Sequence, residues 1–252
     1  MIIAAMMVVA VRANAQFEPG TFSIQPKIGG TISMMSNMPN NIHFTSDVNY
    51  NLADKSPITG FIIGAEFEHQ ISKRFSLAAG LYYSKQGCGW ENHEENHNNF
   101  KDFKFNYKIE FVDAKIDLGY INLPLVANVY LFKGFAIKTG VQIGFLTDTK
   151  VKFNVNLSSK DQNYYESINY NSSIKNQCEK FDISIPVGLS YQVPTIPIYI
   201  DSRVNFGLKK VNKDKTLMIE GIGGETGSAI INLDKDLKNL VFQLTVGYKF
   251  AL

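Results

Sequence analysis

Three sets of residues have types and spacings that could do chemistry. His93-Glu94-Glu95-Asn96-His97 spells His-Glu-x-x-His, the pattern in which a helix places two imidazoles on one face around zinc while the glutamate activates water. Its setting, from Trp90 to Asn99, is polar throughout and offers no apolar stripe to dock a helix. It therefore reads as a solvated external loop, with no metal. Cys88 and Cys178 form the second set; in an exported chain they either bond to each other or stay as free thiols packed near one rim. The third set is charged: Lys27, Lys138, Arg203 and Lys249 against Glu66, Glu68, Asp182 and Asp201. An acid–base site is one reading of these carboxylates and cations. No Ser-His-Asp set accompanies them, so the expectation is a structural ion-pair network, with no catalytic residue and no cofactor.

What places these charges is a strict alternation of side chains. In Phe181–Val193 every odd position is apolar or aromatic, and every even one is polar, small or proline. Successive strand residues point to opposite faces, so this is a long strand with one greasy side. The pattern recurs in Phe22–Met34, Phe61–Ile71, Phe75–Lys85, Lys115–Phe132, Phe135–Leu146, Ile198–Leu208 and Leu240–Phe250. In the fourth segment the apolar parity slips near Gly119, which calls for a bulge. Connections alternate between long polar loops (residues 35–59, 86–114, 150–180 and 209–238) and tight turns at Ser72-Lys73-Arg74, Lys133-Gly134 and Pro194–Pro197. Eight strands joined this way make an all-β, antiparallel up-and-down transmembrane barrel with its long loops on one side. Segments of this length suffice to cross a bilayer when tilted, and closure leaves no edge in lipid.

Composition narrows the classes further. There are 18 Phe, 12 Tyr and 19 Gly in 252 residues, with a formal net charge of +2 and no basic block, so nucleic acid is not an expected partner. No run is long and apolar enough for a membrane-spanning helix. Alternation alone does not say which face is wet, and a secreted lipocalin-like barrel is the competing architecture. Two features favour lipid outside. Gly29, Gly64, Gly80, Gly140, Gly144, Gly188, Gly207 and Gly247 lie on the polar faces, where they make room inside a narrow barrel. The polar-face charges also balance, four against four, as an enclosed lumen requires. Pro124 and Pro186 fall in mid-strand and point inward. His69 falls on the lipid side near a short turn. Ile2–Val11 followed by Ala13-Asn14-Ala15 reads as a signal peptide over residues 1–15, leaving residues 16–252 as the barrel.

The run Gly119-Tyr-Ile-Asn-Leu-Pro-Leu-Val-Ala-Asn-Val-Tyr130 before a Lys-Gly turn, the segment Leu81-Tyr-Tyr-Ser-Lys-Gln-Gly87, and the terminal Val246-Gly-Tyr-Lys-Phe250 resemble PorT-family outer-membrane barrels of Bacteroidetes. Asn122 stands where those proteins usually carry an acid. The resemblance implies an outer-membrane protein without an assigned activity, in a family whose name comes from a component linked to type IX secretion. It also implies that Phe250, here followed by Ala251-Leu252, is the aromatic presented to the barrel-assembly machinery. The reading is then a non-enzymatic, side-chain-filled barrel, monomeric in outer-membrane lipid, with a surface-interaction, adhesion, envelope or secretion-accessory role and an extracellular or envelope protein as partner. The alternatives are a lipid-modifying or proteolytic outer-membrane enzyme and a soluble lipocalin-like binder.

Overall fold

Eight strands with period-two patterning have nowhere to bury their polar faces except around one another, and the chain closes them into a ring. The computed structural model describes residues 18–44, 49–51, 54–97, 107–132, 134–159, 163–220 and 228–252; the segment read as a signal peptide lies outside them. The barrel strands are β1 (Phe22–Ser36), β2 (Ile58–Ser72), β3 (Phe75–Trp90), β4 (Tyr107–Phe132), β5 (Phe135–Ser159), β6 (Phe181–Gln192), β7 (Ile198–Gly207) and β8 (Lys238–Tyr248). Each pairs antiparallel with its neighbours in sequence, and β8 pairs back onto β1 from Lys27↔Gly247 to Ser36↔Lys238. A short strand, Phe250–Ala251, continues that seam. Among the described residues no helix is long and apolar enough to cross a membrane.

The odd–even rule sorts the two faces. Ile28, Phe61, Leu81, Leu125, Val141, Val187, Leu189 and Val246 point outward and are exposed, whereas Lys27, Glu66, Asn128, Lys138, Asp201 and Arg203 are buried inside. Aromatic pairs mark the end with the short turns: Phe22 stacks on His69 at 4.2 Å, and Phe132 on Phe135 at 4.7 Å. Such girdles lie where acyl chains meet headgroups. Glycine has a steric task at Gly64, where a Cβ would sit 2.1 Å from the Leu81 carbonyl and 2.6 Å from the Tyr82 ring. Pro124 and Pro186 are buried inside. The β3–β4 pairing skips from Leu125 to Asn122, and the β5–β6 pairing from Ser184 to Val187, so each proline sits in a gap of one ladder.

The long connections depart from the sequence reading. β4 and β5 run for 26 and 25 residues, well over twice the roughly 9–11 that a bilayer requires. Much of what reads as the second and third loops is therefore strand. His93–His97 pairs with the top of β4, and Tyr164–Ser172 with the top of β5. The first and fourth loops build a second sheet from Thr216–Glu220, Ser228–Asn232, Asn41–Phe44 and Asn49–Asn51, in that order. These parts share an apolar cluster that includes Met35, Trp90, Ile116, Leu118, Phe153, Ile174, Leu217, Ile231 and Leu237. The parity slip near Gly119 is also different in kind. Even-numbered β4 residues from Ala114 to Tyr130 stay buried. The register shift opposite Gly119 falls around Thr147 in β5, and a second shift accompanies Asp113, whose φ is 55°. What changes at Tyr120 is the chemistry of the inner face, polar below and apolar above.

Candidate functional site

The lumen holds the densest set of functional groups. Lys27 comes from β1, Glu66 from β2, Lys138 from β5, and Asp201 and Arg203 from β7, each at an inward position fixed by the alternation. Lys27 Nζ lies 2.5 Å from Glu66 Oε2 and 3.1 Å from Asp201 Oδ2. Lys138 Nζ lies 3.2 Å from Glu66 and 2.5 Å from Asp201. Arg203 donates from Nη2 to Glu66 Oε1 at 2.6 Å, and from Nε to Asp201 Oδ1 at 2.9 Å. Three cations thus share two carboxylates, and the contacts run from wall to wall across the barrel. All five side chains are at most 5 % exposed.

A second knot lies nearer the short turns. Glu68 receives Lys249 Nζ at 2.9 Å and the Tyr130 hydroxyl at 2.5 Å, with further donors from Gln25 and Ser76. Tyr199 joins the two knots: its hydroxyl accepts from Lys138 Nζ at 3.1 Å, and its ring faces the ammonium groups of Lys27 at 4.5 Å and Lys249 at 5.9 Å. A ring quadrupole stabilises buried cations in this arrangement. Tyr199, Tyr130 and Gln25 were missed as site residues; their signal is their inward parity beside charged neighbours, which polar-face counting overlooks when it tracks only charge.

All eight charges of the sequence reading are buried, but Asp182 does not join the ion-pair network. It sits near the other end of the lumen, accepts from Asn239 Nδ2 at 3.0 Å, and has no cation within ion-pair distance among the described residues. The lumenal ion pairs join four cations to Glu66, Glu68 and Asp201, and Asp182, though buried, stands apart from them. The Cys88–Cys178 bond is not formed either. Both are free, buried thiols in the apolar cluster above Tyr120, and burial pushes the Cys178 thiol up to about 11.

His93–His97 is a strand, not a helix or a solvated loop. At about 3.4 Å per residue, residues four apart on a strand are too distant to share one metal ion. No group of three or more metal-ligating side chains occurs among the described residues. Above the membrane, a polar groove of about 280 Å³ runs between Ser56–Thr59, Trp90 and Ala114–Asp117. The outermost described strand beside β5, Tyr164–Ser172, carries Tyr165 at 69 % exposure.

No curated protein matches the chain. Among solved structures, Ail, the attachment invasion locus protein of Yersinia pestis, is 13 % identical over 92 % of this chain and 99 % of its own, with a TM-score of 0.36. OprG from Pseudomonas aeruginosa is 12 % identical over 94 % and 99 %, with a TM-score of 0.41. Neisserial surface protein A is 12 % identical over 91 % and 97 %, with a TM-score of 0.37. A family model described as an outer membrane protein beta-barrel domain matches residues 14–213. The chain belongs to this outer-membrane β-barrel family, and the outer membrane is where it resides.

Proposed function

We propose that this protein is a non-enzymatic surface barrel whose membrane part serves as a sealed, rigid base for an external β-structure that meets an extracellular or envelope protein. The observation that carries this reading is the continuation of β4 and β5 far beyond the bilayer, with a strand added on each side. An ion-pair network that bridges the lumen is suited to stiffness and a poor path for solutes. The His-Glu-x-x-His pattern in a strand gives no support to a protease. A secretion-accessory role is the second reading, and it rests on the PorT-like segments Gly119–Tyr130 and Val246–Phe250. In either case the protein works as a monomer in outer-membrane lipid, assembled through its C-terminal strand.

The test trims the external part and spares the barrel. Residues 92–112 and 155–168 are each replaced by Asn-Gly, which closes the β3–β4 hairpin and the hairpin above β5 with two-residue turns. The trimmed protein should keep heat-modifiable gel mobility, while cells that display it lose the aggregation and surface attachment conferred by the full chain. Equal attachment by both forms would end the adhesion reading. Steady conductance of the full chain in planar bilayers would end the sealed-base reading.

A further inference from the structure

Above β6 and β7 the outer rim carries a concentration of positive charge that neither the lumen nor the apolar cluster uses. Two connections are tied together there: Cys178 bridges Asn212, the Glu179 amide donates to the Val211 carbonyl at 2.7 Å, and the Lys213 amide donates to the Gln177 carbonyl at 3.0 Å. The tie gathers Lys175, Lys180, Lys209, Lys210, Lys213 and Lys215 near Glu179, Asp182 and Asp214, and the bond from the Val211 amide to the Leu237 carbonyl brings in Lys235 and Lys238 with Asp234 and Asp236. Eight lysines against five acids leave an excess of three, while the whole chain carries +2, so the remainder is net negative. On the β3–β5 side of the rim three lysines are matched: Lys85 with Asp148, Lys152 with Asp117, and Lys108 with Glu94 and Glu110. Glu179 takes Lys209 Nζ at 2.9 Å. That hydrogen bond, with the fields of Lys210 and Lys213, holds its carboxyl below the usual range.

Height decides what such a patch meets. Lys180 immediately precedes Phe181, and Lys209 immediately follows Leu208, both lipid-facing and 41 % and 51 % exposed. Lys209 Nζ lies 3.3 Å from the centre of the Phe181 ring. The lysines therefore begin where the apolar belt ends, the depth to which long cationic side chains reach for headgroups. We propose that this rim binds the phosphate groups of anionic lipid in the outer leaflet. A fixed backbone tie, an unmatched excess of ammonium groups and a position against the acyl boundary favour a membrane lipid over a soluble polyanion, which needs no such depth.

Full-length protein in neutral detergent is titrated with a bisphosphorylated glycolipid and with its dephosphorylated form, and bound lipid is counted by native mass spectrometry. The phosphorylated form should be retained preferentially. Each lysine near an anionic surface contributes about fivefold in affinity, so Lys180→Gln with Lys210→Gln should weaken retention roughly thirtyfold. Lys152→Gln, whose lysine is matched by Asp117, should leave retention unchanged. Should the double variant fail to fold, Lys180→Gln alone replaces it, since Lys180 makes no side-chain hydrogen bond or ion pair among the described residues; a loss of about fivefold is expected. Equal retention of both lipids, or undiminished retention by these variants, overturns the proposal. Displacement of the lipid by inorganic phosphate or by sucrose octasulfate at matched concentration overturns it too, because the site would then belong to a soluble anion.

Discussion

Replacing Glu66 by glutamine removes one of the two carboxylates that hold Lys27, Lys138 and Arg203 inside the barrel. The three contacts, at 2.5, 3.2 and 2.6 Å, each represent about 5–7 kcal/mol of attraction at an effective permittivity near 20. Much of this offsets the cost of taking the carboxylate out of water, and some is cancelled by repulsion from Asp201. What remains is the cost of stranding buried cations, about 3–5 kcal/mol. Urea unfolding in detergent micelles, followed by the mobility difference between folded and unfolded bands, reads this directly. Glu66→Gln should lower the stability of the barrel by that amount. Adding Lys138→Met removes one stranded cation and should restore at least about 1 kcal/mol, a coupling typical of residues in one network. Stability of Glu66→Gln within about 0.5 kcal/mol of the parent would refute the view that these contacts hold the lumen together, since such a loss is no larger than that of an ordinary surface change.

Three further outcomes are expected. Val187→Arg puts a charge on an outward position midway along β6, now 44 % exposed, and should cost about 2–4 kcal/mol in lipid; an unchanged unfolding midpoint in vesicles would argue against lipid contact there. Asp182→Asn should change stability by less than about 1 kcal/mol, because Asp182 holds an amide and not a cation, and a loss comparable to that of Glu66→Gln in the same assay would contradict this placement. At pH 8 both cysteines should be labelled only after unfolding, with no shift on non-reducing gels. The folded-state reactivity of Cys178 should rise with pH towards about 11, since the thiolate reacts and the protonated thiol does not; brisk labelling of the native protein at pH 8 would show an open thiol.

How far the sequence could be read depended on whether one rule held along each segment. Inside the bilayer it did: parity alone assigns Ile183, Val187 and Leu189 outward and Lys27, Glu66 and Arg203 inward, because lipid and an enclosed lumen enforce opposite chemistries on adjacent residues. Partners across the lumen were less legible. Parity places Asp182 and Asp201 on the same face, but only the stagger of the strands decides which of them meets Lys138. Above the membrane the rule changed. Val151, Phe153, Val155 and Leu157 alternate as cleanly as any barrel strand, yet polar neighbours and Asn-rich flanks made the stretch look like loop. The apolar face of these residues packs against other connections, and such packing between distant segments leaves no local trace.

The switch at Tyr120 means that one strand passes through two interiors with opposite rules of substitution. Leu118 and Asn122 lie four residues apart on the same face of β4 and are both buried. Leu118 belongs to a dry compartment, where an amide would find few partners. Asn122 donates to Ser84 Oγ at 2.8 Å and accepts from Gln142 at 3.2 Å, so a leucine there would leave two polar groups bereft. Exchange of these two residues would preserve composition, charge and volume and still injure the protein twice, once on either side of a single tyrosine.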